Sequence, residues 1–254
     1  MALTRRLDRG SSYTGHFPPA VKWLLISNTV VFLLWSMSSD FLQSSVLRYL
    51  ALHPAGVLKS GQIWQLATYL FLHGGIWHLI FNMLTLWMFG TPLERDWGTR
   101  QFLRYYFICG IGAGLCDIAL SAAIGNWNTS TIGASGAIYG LLLGFGFCYP
   151  DQTVLMGFLF PIKAKYMVMI YAAVELWMSR GVNTGVSNIA HLGGMAVGFV
   201  YLKNRTRSRR RQSNLTLPDW KGAYRQWKLQ RAKKKFQVYM RKHGGPGGGP
   251  PYVN

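Results

Sequence analysis

The chain has 254 residues, half of them apolar, only 14% charged, and a formal net charge of +19. So apolar a composition, with positive mean hydropathy, excludes an ordinary soluble domain. The charge is local: from Lys203 onward fifteen Lys and Arg stand against one acid, Asp219, so the pI of about 10.2 describes a basic flank of a membrane protein and not a nucleic-acid-binding surface.

Residues 1–20 are basic and then polar, lack the pattern of a cleavable signal peptide, and read as a cytoplasmic N-terminal segment. Residues 21–203 hold six apolar stretches, about Val21–Met37, Gly74–Phe89, Phe102–Ile124, Gly133–Tyr149, Tyr166–Met178 and Asn188–Leu202. They predict an all-α membrane protein, a bundle of six transmembrane helices. Several are shorter than the roughly 20 residues that cross a bilayer, which points to a thin or water-invaded protein. A long first loop covers Ser38 to His73, and "VLMGFLFPI" reads as a cytoplasmic interfacial loop ahead of the fifth helix. Cys109, Cys116 and Cys148 all sit in apolar runs and read as buried small hydrophobes.

The basic residues set the orientation. Arg5, Arg6, Arg9 and Lys22, then Arg95 and Arg100, then Lys163 and Lys165, then "RTRSRRR" fall on one side if six helices alternate. Both termini are therefore expected in the cytoplasm. Residues 204–254 form a basic cytoplasmic tail, in which Trp220, Tyr224 and Trp227 recur at helical spacing among cations. That spacing suits a helix lying on anionic lipid, and the closing "GGPGGGPPYVN" is expected to be disordered.

With this orientation, three stretches enter from the outside carrying polar groups: "LHGGIWHLIFNM" with His78 and Asn82, "GASGAIYG" with Ser135, and "SNIAHLGGMAVG" with His191. At about 1.5 Å rise per residue all four lie within roughly 3–12 Å of their helix starts, at one depth. Ser135 with His191 supplies a nucleophile and a base. The third stretch offers Asp117, read as a partly wetted structural residue, so a Ser–His dyad is the simpler expectation. Tyr139, four residues after Ser135, is placed to stack on the imidazole. His78 and Asn82, at i and i+4, together with the Ser135 backbone N–H at a helix start, are expected to hold an oxyanion. Gly136, Gly140 and Gly144 on the fourth helix, with Gly194 and Gly198 on the sixth, form small-residue stripes that permit close approach. Gly133 and Gly136 leave room beside the serine for a substrate backbone.

Each feature has a plainer reading by itself: Ser135 and His191 as packing residues, His78–Asn82 as an interhelical hydrogen bond. A metal site at His73, His78 and His191 has no acidic or thiolate partner at that level. A transport pathway would continue polar into the inner half, which instead reads "LLLGFGF" and "MAVGFVYL".

The residues resemble the rhomboid family of intramembrane serine proteases. The matching pieces are "IWQLATYLFLHGGIWHLIFNMLTLWMFGTPLERDWGTRQFLRYYF", "GASGAIYG", "FPIKAKY" and "AHLGGMAVG", in family order, over roughly Gln62 to Gly198. The resemblance implies Ser135 as nucleophile and His191 as general base, with His78 and Asn82 at the oxyanion hole and Tyr139 stacked on His191. It also implies a six-helix fold whose fourth helix begins below the surface in a water-filled cavity. No cofactor is expected. The expected partners are transmembrane protein substrates cut near the outer face, and membrane lipids; the expected location is a cell membrane, a bacterial inner membrane above others. A catalytically silent relative that holds membrane clients is the alternative. One position departs from the family: Trp64-Gln65 stands where Trp-Arg is usual in the first loop.

Overall fold

The computed structural model describes residues 17–156, 159–179, 188–214 and 220–243, with side chains at 207–214, 220–223 and 241–243 left undescribed. Arg5, Arg6 and Arg9, the loop at 180–187 and the Gly/Pro-rich end lie outside the described residues. The chain divides into two compact units, Met1–Asn204 and Arg205–Asn254.

In chain order the helices are α1 (Pro19–Ser36), α2 (Asp40–Leu50), α3 (Pro54–Ser60), α4 (Gln65–Thr68), α5 (Ile76–Thr85), α6 (Thr91–Trp97), α7 (Thr99–Ala123) and α8 (Ser135–Cys148). A hairpin of β1 (Thr153–Met156) and β2 (Phe160–Lys163) leads into α9 (Ala164–Met178), α10 (Asn188–Asn214) and α11 (Trp220–His243). By length and composition Pro19–Ser36, Ile76–Trp97 and Thr99–Ala123 can each cross a membrane, and α8 is a shorter apolar helix. At 1.5 Å per residue α7 is about 37 Å long, more than a bilayer core, whereas α8 is only about 21 Å.

Local chemistry sets the ends. Pro19 opens α1, where its missing N–H costs nothing. The buried carboxylate of Glu94 accepts the backbone N–H groups of Ala20 (2.9 Å) and Val21 (2.8 Å) and the Thr99 hydroxyl (2.7 Å), capping the positive end of α1 from 74 residues away. Between α5 and α6 the chain stays helical but widens into a π turn at Leu86–Gly90. Pro92 follows at the start of α6 and has no N–H to return to Met88, a sufficient cause for the wider turn.

Two segments differ from the sequence reading. The first loop is largely helical, folded as α2, α3 and α4. The piece read as an interfacial loop is an antiparallel hairpin with Thr153 opposite Lys163 and Met156 opposite Phe160. Gln65 takes over the anchoring of the first loop. Fully buried, it accepts the His53 N–H (3.0 Å) and donates to the Arg48 carbonyl (3.3 Å) and to Gln62 Oε1 (2.6 Å). An amide both donates and accepts, so it ties loop backbone together in a way a guanidinium cannot.

The core lies where α7 and α8 meet, around Phe102, Tyr105, Tyr106, Leu141 and the loop residue Tyr69. Tyr69 and Tyr105 donate to the carbonyls of Gly110 and Gly140, each at 2.7 Å. The glycine stripe of α8 serves α7 as much as α10: a methyl on Gly136 would meet Ala113 Cβ at 2.5 Å, and one on Gly140 would meet Cys109 Cβ at 2.5 Å. In the second unit, the Tyr224 and Trp227 rings of α11 stack at 5.8 Å, and the Arg231 guanidinium lies 4.5 Å over Trp227.

Candidate active site

The loop before α8 is pinned on both sides. Leu52 and Thr131 exchange backbone hydrogen bonds of 3.0 Å, and the Gly133 N–H donates to the Tyr69 carbonyl at 2.9 Å. Gly133 holds φ +120°, a conformation L side chains rarely adopt. A methyl there would also stand 2.8 Å from His78 Cε1 and Nε2, and 3.8 Å from Ser135 Oγ. The His78 ring therefore reaches the ground beside the serine. Because Gly133 is not helical, α8 starts with Ser135 as its first residue, two later than the apolar pattern suggested. At that position its N–H has no acceptor within the helix and sits at the positive end of the dipole.

His191 arrives on α10, nearly buried at 6% exposure. Its Nε2 lies 2.8 Å from Ser135 Oγ. The approach depends on two glycines one turn further on: a methyl on Gly193 would fall 2.7 Å from Cys116 Cβ, and one on Gly194 would collide with the Gly136 carbonyl oxygen. No side chain separates α8 from α10 there. Tyr139 stacks flat on the imidazole, with centroids 4.3 Å apart and planes 7° from parallel.

The Nδ1 edge of the imidazole meets a residue that the sequence reading did not single out. Glu175 of α9 places Oε1 3.0 Å from His191 Nδ1, an ion-pair contact with both side chains under a tenth exposed. The contact is close but is not aligned as a straight hydrogen bond. The Tyr139 hydroxyl donates to the same carboxylate oxygen. A signal was present. Glu175 is the only acid of the fifth apolar stretch, three residues before its end. Asp117 is engaged elsewhere, accepting the Thr131 hydroxyl at 2.7 Å below the loop that precedes α8.

Asn82 is one helical turn from His78, and its Nδ2 donates to the His78 carbonyl at 2.8 Å. One amide hydrogen remains for another acceptor. His73 precedes α5 and is fully buried, its ring 5.0 Å from that of His78. Among the described residues no three His, Cys, Asp or Glu are grouped to hold a metal ion. A hydroxyl in hydrogen-bond contact with a carboxylate-backed imidazole is the apparatus of nucleophilic acyl transfer.

A family model described as the Rhomboid domain matches residues 60–206. The chain is 36% identical over 144 residues to RHOMBOID-like protein 4 of Arabidopsis thaliana, covering 57% of this chain and 34% of that relative. It is 33% identical over 188 residues to the mitochondrial Rhomboid protein 1 of Saccharomyces cerevisiae, covering 70% and 51%. It is 30% identical over 185 residues to Rhomboid protease GluP of Bacillus subtilis, covering 71% and 34%. The chain thus spans between a third and about half of the length of these relatives. With a mitochondrial protein among them, they do not support the expectation of a bacterial inner membrane above other membranes.

Proposed function

This chain belongs to the rhomboid family, and from that footing we propose that it is an intramembrane serine endopeptidase that cuts transmembrane segments of other proteins near the outer membrane face. Ser135 Oγ attacks the scissile carbonyl carbon while its proton passes to His191 Nε2. His191 then returns that proton to the leaving amine as the C–N bond breaks, and water resolves the acyl-enzyme through the same base. His78, the free hydrogen of the Asn82 amide and the Ser135 N–H stabilise the oxyanion. Gly133, whose missing side chain would stand between His78 and Ser135 Oγ, leaves room beside the nucleophile, whereas Gly136 and Gly194 are taken up by the close packing of α8 against α7 and α10.

In this reading residues 21–203 form six spans with both termini in the cytoplasm, between the short segment 1–20 and the basic tail 204–254. The tail meets anionic lipid through α11. The 14-residue α8 begins below the surface, where water can enter. A helical substrate hides its amides in backbone hydrogen bonds, so locally unwound segments with small side chains are preferred.

The 2.8 Å contact between Ser135 Oγ and His191 Nε2 across two helices supports this most directly. A client-holding relative without catalysis has no use for it. The test is cleavage of a single-span substrate in liposomes by the wild type, Ser135→Ala and His191→Ala. Cleavage by the wild type alone is expected, with fluorophosphonate labelling at Ser135. An inserted variant that cuts as fast as the wild type overturns the assignment.

A further inference from the structure

Glu175 has no part in a two-residue mechanism, yet it stands with Glu94 and Asp117 as a buried acid among the described residues. It lies on an apolar helix with its side chain 8% exposed, and among the described residues its only basic partner is His191. A carboxylate at such depth is costly unless its charge is used. Its surroundings bind that charge from two directions, the Tyr139 hydroxyl and His191 Nδ1, both meeting Oε1.

The imidazole is thereby held on three sides, by Ser135 at Nε2, by Glu175 at Nδ1 and by the Tyr139 ring against its face. A carboxylate 3.0 Å from Nδ1 favours a proton on that nitrogen through its charge, in an ion-pair contact. Nε2 is then bare and can accept from the serine.

We propose that Glu175 is the positioning carboxylate of a Ser135–His191–Glu175 triad. This rests on the protease reading above and goes beyond its dyad. Glu175 selects the Nδ1–H tautomer of His191, and it stabilises the imidazolium formed when the Ser135 proton moves to Nε2 and the Oγ–C bond forms. The carboxylate stays ionised throughout and takes no proton, as in the soluble serine proteases. Tyr139 has a double role: its ring orients the imidazole while its hydroxyl orients the carboxylate.

The experiment compares the full chain with Glu175→Gln, Glu175→Asp and Tyr139→Phe in liposomes, reading kcat and KM on a single-span substrate, the rate of fluorophosphonate labelling, and Tm. Glu175→Gln is expected to lower kcat and labelling rate together by about 100-fold, with KM changed less than about twofold. Glu175→Asp keeps the charge and is expected to recover about tenfold over Gln, and Tyr139→Phe to lose only a few-fold. A folded Glu175→Gln that cuts at the wild-type rate, or an Asp variant no better than Gln, overturns the triad while the protease reading stands. A wild type that neither cuts nor labels sinks the protease reading itself. Should Glu175→Gln lose its thermal transition, nitrogen-15 NMR of the wild-type imidazole decides. A neutral His191 protonated at Nδ1 is the expected result, and one protonated at Nε2 refutes the proposal.

Discussion

Replacing Gly194 by alanine tests how α8 and α10 are held together. The added carbon would fall on the Gly136 carbonyl oxygen and 2.9 Å from its carbonyl carbon. A carbonyl inside a helix cannot rotate aside, so α10 must retreat from α8 by about 1.4 Å to regain ordinary contact. Overpacking of this sort costs about 1–3 kcal/mol of stability. His191 lies three residues before Gly194 and on the same side of α10. The retreat therefore stretches its 2.8 Å contact with Ser135 toward about 4.2 Å, beyond hydrogen-bond reach. A misplacement of about 1 Å at the reacting atoms costs about 100-fold in rate.

The assay is the initial rate of substrate cleavage in liposomes, paired with Tm in detergent. Gly146→Ala is the comparator: its methyl would meet Val168 Cγ2 at 2.6 Å, about 16 Å along α8 from Ser135. It is expected to lose similar stability with kcat nearly intact. If Gly194→Ala keeps both the wild-type Tm and a rate within about twofold, the close approach does not set the site's geometry and the reasoning fails.

Three further outcomes are expected. Gly133→Ala forces a side chain into φ +120° and against the His78 ring, costing about 1–3 kcal/mol of strain and slowing fluorophosphonate labelling more than it lowers Tm. Glu94→Ala leaves the Ala20 and Val21 N–H groups without their buried acceptor; a loss of about 2–3 kcal/mol is expected in Tm measurements, with the activity of the remaining folded protein unchanged. The Asp151 carboxyl is held below its ordinary value of 3.8 by the Lys165 hydrogen bond at 2.8 Å, then by that ammonium's charge and by Lys163. Because the folded value is the lower one, this small anchor of the hairpin is present above about pH 4 and fades as pH falls through the folded value. NMR titration of Asp151 should place its midpoint below that of an unfolded peptide, and an equal midpoint would remove the anchor.

Much of this protein was open to reading along the chain. Helix periodicity brings His78 above Asn82 and Tyr139 above Ser135, because residues four apart share a face whatever surrounds them. The order of "HGGIWHLIFN", "GASG" and "HLGG" identified the family for the same reason, since each piece is short and local. The tertiary structure decided what faces what between helices: Glu175 against His191, Gln65 inside the first loop, and the α8 glycines turned toward α7 as well as α10. Those pairings depend on how elements rotate and approach across separations of 12 (His53 to Gln65) to 58 residues (Gly136 to Gly194) along the chain. A spacing rule that describes one helix carries no information about its rotation against the next. Only packing sets that rotation, and it turned a lone acid in an apolar stretch into the third group at the imidazole.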